Sequence, residues 1–216
     1  MKLIKNYEKD TRSILFMQIF DEVFKSFYFP WRIEELEVTL SDNDAVEFDE
    51  VNKKGKIYFN YDHDFIKNMD EKGIKSIIIH SLYHLIMKIK GVNYDNIFAK
   101  SDDEKRIIKA MENFIVDREA AKHYPDLVFY KKCYEAIKIE PKDFVSWVEA
   151  NLCWLTFYNI DEWNAEFIKS FLENKVSFLD YEFLQRLCEI IDTLKDEIKT
   201  KDNVEKILSE IINWRK

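Results

Sequence analysis

Apolar residues at Ile14, Leu15, Met17, Ile19, Phe20, Val23, Phe24 and Phe27 recur at three- and four-residue steps with charged residues between them. That period predicts an amphipathic helix over residues 8–28. Pro30 predicts its end, because the residue before a proline is pushed out of the α region. The period then falls to two. Leu36, Val38 and Leu40 alternate with Glu37, Thr39 and Ser41, the pattern of a half-buried strand. Ser41–Asp44 predicts a turn, Ala45–Val51 a second short strand, Lys53-Lys54-Gly55 another turn, and Lys56–Tyr61 (KIYFNY) a third strand. Everything beyond is helical in pattern. Gly73 precedes a run from Ile74 to Lys90, and Gly91 stands where a left-handed C-cap is wanted. Ser101-Asp102-Asp103-Glu104 opens a helix that reaches about His123 and stops at Tyr124-Pro125. Three to five helices follow from about Val128, with starts at Pro141–Asp143 and Ser177–Asp180 and a break at Asn159–Asp161. In the last, Asn203–Trp214, the residues Val204, Ile207, Leu208, Ile211 and Ile212 form one stripe that must dock on the body or on a second copy.

Composition narrows the class. With 47% hydrophobic residues among 216, the chain has material for a buried core, which excludes disorder. The net charge of −8, with lysines interleaved among acids, provides no basic stripe for nucleic acid or an anionic membrane. The run MKLIKNYEKDTRS has no apolar centre and is not a signal peptide, and no run of 18 apolar residues predicts a membrane span. Cys133, Cys153 and Cys188 are scattered and form no CxxC pair, so they read as reduced core thiols of a cytoplasmic protein. The scarcity of glycine and proline, 3 of each, resembles thermophile usage and bears on no chemistry. No Gly-rich phosphate loop, GxSxG elbow or Cys–His dyad is present. The group Trp147, Trp154, Phe157, Tyr158 and Trp163 reads as the core of a helical subdomain rather than a ligand pocket, and Lys131-Lys132-Cys133 is set aside with it.

The chemistry concentrates in Ser76–Lys90, SIIIHSLYHLIMKIK, an almost wholly apolar helix carrying His80 and His84 one turn apart. The i,i+4 spacing lets two imidazoles converge on one ion, and burying two histidines without partners is costly. A pair of satisfied core histidines is the plainer alternative. On the next helix Ala110, Phe114, Asp117 and Ala121 share a face, so Asp117 is an acid on an apolar stripe, with Asn113 one turn before it. Such a carboxylate is bound to a cation or paired. Either it completes a site of two imidazoles and one carboxylate, or it bridges to Arg106, Arg118 or Lys122 or caps a neighbouring helix.

The strand KIYFNY, the helix with HSLYH (80–84), and the helix with ENFIVDRE (112–119) followed by Tyr124-Pro125 resemble a zincin metallopeptidase core of the gluzincin-like kind. Its pattern is HExxH followed some thirty residues on by NxxxD. The resemblance covers residues 8–126. It implies zinc held by His80, His84 and Asp117, with Asn113 as the asparagine of NxxxD. In HExxH the glutamate is the general base that deprotonates metal-bound water. Here that position is Ser81, whose hydroxyl cannot serve as such a base near pH 7. Asp62 and Asp64, after the strand that lies beside the cleft in zincins, are candidate replacement acids, and otherwise Asp62-His63-Asp64 is a polar loop. His123 is a fourth candidate ligand or a histidine at a helix C-terminus.

The expectation is therefore a mostly helical α+β fold. A zincin-like core with a small sheet occupies residues 1–126, and a helical subdomain residues 127–216. The expected function is that of a metallopeptidase-related protein without a catalytic residue, binding zinc and a peptide or protein partner. The competing expectations are an active metal-dependent hydrolase with a base from elsewhere, and a metal-free helical interaction module.

Overall fold

The computed structural model of the chain describes residues 1–27, 33–60, 69–92, 94, 99–136, 140–158, 180–193 and 201–214. Pro30, Asp62-His63-Asp64, the expected break at 159–161 and Trp163 lie outside the described residues. Among those described the fold is mixed α and β and mostly helical, with four strands and seven helices. It divides into two compact units, Met1–Val92 with Glu119–Lys131, and Asn93–Arg118 with Lys132–Lys216. The chain passes between them at three points, whereas the sequence reading placed one boundary after residue 126.

The first unit holds β1 (Lys2–Asn6), α1 (Thr11–Ser26), β2 (Glu35–Ser41), β3 (Ala45–Asp49), β4 (Lys54–Asn60) and α2 (Glu71–Ile89). The strands form one sheet in the order β1-β2-β4-β3. β1, β2 and β4 run parallel, and β3 pairs antiparallel with β4 at the edge. Alternation sorts the two faces of the sheet. Leu36, Val38, Ile57 and Phe59 are fully buried. Glu35 and Glu37, of opposite phase, meet Lys2, Lys54 and Lys56 in ion pairs of 3.1–3.5 Å. Phe59 sits edge-on to Phe16 and Phe20 of α1, with ring centroids 5.0 and 6.3 Å away. α1 starts where the Asp10 carboxylate accepts the Arg12 and Ser13 backbone N–H groups.

β1 was not expected, because its residues KLIKN are half exposed and its apolar content is two residues. Lys53-Lys54-Gly55 is not a turn centred on glycine. Lys53 itself takes the left-handed conformation, φ 51°, after an Asp49 side chain that accepts from the Asn52 backbone and amide. Gly55 lies inside β4, where a Cβ would stand 2.9 Å from Leu85 Cδ2 and 3.2 Å from Ile33 and Leu36. The glycine is there to let α2 approach the sheet, not to turn the chain.

The second unit takes α3 (Asp102–Ala121) as far as Arg118, α4 (Pro125–Ala136) from Lys132, α5 (Phe144–Tyr158), α6 (Tyr181–Thr193) and α7 (Lys201–Trp214). Helix starts follow side-chain caps. Ser101 Oγ accepts from Glu104, Asp143 from Ser146 and Asp180 from Phe183. Trp147 packs on Phe144 and Phe183, and Phe183 on Trp214. The α7 stripe of Val204, Ile207, Leu208 and Ile211 is buried within the chain. No described helix is long and apolar enough to cross a membrane.

Candidate functional site

The helix that carries the histidines is fixed at both ends. Asp70 caps its start by accepting the Gly73 N–H at 2.8 Å, and its second oxygen accepts the Tyr130 hydroxyl at 2.6 Å. Lys72 Nζ lies 5.1 Å above the Tyr130 ring. At the other end Gly91, φ 81°, donates to the Lys88 carbonyl and Val92 to that of Met87, the paired bonds of a Schellman cap. Thirteen of the nineteen residues between are buried, so both histidines start from an almost wholly apolar setting.

His80 is half-buried and His84 is 5% exposed. Their Nε2 atoms are 3.0 Å apart, and the ring planes stand 82° to one another. One ring donates its Nε2–H to the other's lone pair, which removes much of the cost of burying two imidazoles. The same geometry is close to that of a chelate. Two nitrogens bound to tetrahedral zinc at about 2.05 Å stand about 3.3 Å apart, so the pair must open by only a few tenths of an ångström. Tyr83 beside His84 rests edge-on against Phe27 and Tyr124. Burial, reinforced by the charges of Tyr124 and Glu119, pushes its phenol up to about 12. Ser81 is half-buried between His80 and Leu82.

Asp117 belongs to the second unit and is fully buried, as its place on an apolar stripe requires. Its Oδ2 lies 2.6 Å from the ammonium of Lys132, which is 4% exposed and also stands 3.3 Å from Glu135. Burial alone would push the Lys132 ammonium down. The negative Asp117, then Glu135 and the Cys153 sulfur, outweigh it and hold the group well above the ordinary lysine range. Of the bridging partners expected for Asp117, Arg106 is engaged with Glu149 at 2.7 Å and Lys122 with Glu119 at 2.6 Å.

This pairing decides how well the zincin ligand set fits. The histidines suit zinc. Asp117 fits less well, because an ion on its other oxygen would stand roughly 4–5 Å from the Lys132 ammonium. At an effective dielectric constant of about 20, a divalent and a monovalent cation at that distance repel by roughly 7 kcal/mol. Among the described residues no group of three or more His, Cys, Asp and Glu side chains is gathered for a metal.

The remaining candidates are dispersed. His123 is exposed in the turn after α3. Glu112 is buried and paired with Lys109 at 3.0 Å. Asn113 is half-buried. Cys153 and Cys188 are buried in the core, as expected, and the Cys133 side chain lies outside the described residues. An open groove of about 450 Å³ on α6 and α7 is lined by Glu182, Gln185, Arg186, Glu189, Glu210 and Trp214 among others, none of them a candidate ligand.

Lys132 is the residue that sequence reasoning missed. A signal was available: Lys132 follows Val128 and Phe129 by four and three residues, which puts it on an apolar stripe where a lysine needs an acid. The chain matches no protein-family model, no curated protein and no solved structure.

Proposed function

We propose that this chain is a catalytically degenerate relative of the zincin metallopeptidases, whose working role is to bind a peptide or protein partner. The observation that carries the reading is Ser81, which stands at the general-base position between two histidines whose imidazoles are 3.0 Å apart on a buried helix. The element order supports it: a helix, a run of strands, the histidine helix, then the acidic helix, which is the order the resemblance implies. A serine hydroxyl stays protonated near pH 7, so the step that activates water in HExxH enzymes has no base here. Loss of general-base help removes about 10²–10⁴-fold of rate.

His80 and His84 keep a pair of nitrogens suited to zinc, and their binding is that of a two-imidazole chelate rather than a closed three-ligand centre. Asp117 is held by Lys132, so no hydrolytic step is built on a zinc site that includes it. Elemental mass spectrometry after zinc incubation tests the assignment. The expected result is up to one zinc per chain that a mild chelator strips easily, that is absent from His80→Ala/His84→Ala and unchanged in Asp117→Asn. Zinc that survives chelator in the wild type and is lost in Asp117→Asn would sink the reading in favour of an intact three-ligand centre.

A further inference from the structure

A lysine ammonium in a protein interior is rare, because removing it from water is costly unless acids surround it. Lys132 has that surround. On α4 its Nζ lies 2.6 Å from Asp117 of α3 and 3.3 Å from Glu135, three residues further along its own helix. Asp117 is wholly buried and Glu135 is 28% exposed at its side chain. Two carboxylates converging on one point, one wholly buried and one at the edge of the interior, is an arrangement that oxygen-loving divalent cations occupy. Here the point is filled by the chain.

We infer that Lys132 is a tethered cation which closes a two-carboxylate site formed by Asp117 and Glu135, so that Asp117 is held in the core of the second unit without a metal ion. Asp117 is then a structural anion, and the site becomes open to a free cation only when Lys132 is removed. This inference is independent of whether His80 and His84 bind zinc, and it goes beyond the proposed function in giving Asp117 and Lys132 a role that the metallopeptidase resemblance does not.

The test is a mutant cycle on the full chain, read as thermal midpoint in EDTA and in 1 mM Mn²⁺. Lys132→Met keeps the volume and leaves an uncompensated carboxylate, so its midpoint should fall by roughly 6–20 °C. Asp117→Asn/Lys132→Met removes both charges and should recover at least half of that fall. Lys132→Ala leaves room at the carboxylates, so Mn²⁺ should raise its midpoint by several degrees while moving the wild type by less than about 1 °C. The inference is overturned if the paired variant is no more stable than Lys132→Met, or if Mn²⁺ shifts Lys132→Ala no more than the wild type. Should the single Lys132 variants fail to fold, the paired variant decides. Its folding supports the inference, and its failure overturns it.

Discussion

Gly55→Ala places one methyl group between the sheet and the histidine helix. The new Cβ would meet Leu85 Cδ2 at 2.9 Å, and Ile33 Cδ1 and Leu36 Cδ1 at 3.2 Å. Relaxed carbon contacts lie near 3.5–4.0 Å, so the deficit is greatest at Leu85. All three neighbours are buried, Leu36 and Leu85 completely, so none can swing into solvent. Overpacking of this kind costs about 1–3 kcal/mol, and the lower chain entropy of alanine in the unfolded state returns about 0.4–1 kcal/mol. The net expectation is a loss of about 1–2 kcal/mol, or a midpoint lower by about 2–8 °C. Urea denaturation followed by far-UV circular dichroism measures it. The origin is checked by Leu85→Ala, which should cost about 2–5 kcal/mol alone and clearly less when Gly55→Ala fills part of its cavity. If Gly55→Ala is neutral, or if the two changes add within about 0.3 kcal/mol, the glycine is not what sets the spacing between α2 and the sheet.

Three further outcomes are expected. Lys53→Gly relieves a left-handed lysine and should stabilise the chain by roughly 0.5–1 kcal/mol in the same urea assay. Gly91→Ala should cost about 1–2 kcal/mol from backbone conformation alone, since a Cβ there meets nothing within 4 Å, and Gly91→Asn should cost less. Asp70→Ala removes the cap of the histidine helix and should cost about 1 kcal/mol. The Tyr130 hydrogen bond first, and the Gly73 N–H second, hold the Asp70 carboxyl below the ordinary aspartate value. Its stabilisation is therefore complete above about pH 4 and fades as pH falls through the lowered folded value. Tyr130→Phe should narrow that acid-sensitive window in a pH series of thermal melts.

Much of the scaffold could be read from local pattern, since period and caps are local. α1, β2, β3, β4, α2, the Gly91 cap and the Tyr124-Pro125 stop follow from alternation, 3.6-residue stripes and special backbone positions. What escaped depends on partners distant in sequence. β1 exists because β2 offers it a parallel edge, with Leu3 beside Leu36, and five residues of which none is buried do not announce that. Gly55 resembled a turn residue because its close neighbour, Leu85, is thirty residues away. For the candidate site, the convergence of His80 and His84 was legible because one helical turn guarantees it. The burial of Asp117 was legible from its stripe, but its partner was not. Its partner is a lysine on the following helix, and helix phase within α3 contains nothing about it.

We propose that the scaffold has lost its hydrolytic step at Ser81. Zinc-supplemented cleavage of denatured casein and a mixed peptide library tests it most directly, comparing the wild type with Ser81→Glu and His84→Ala. No cleavage above buffer is expected from the wild type or from His84→Ala, with any gain confined to Ser81→Glu. Cleavage by the wild type that disappears in His84→Ala would contradict it, and would mean that an acid elsewhere in the chain supplies the base.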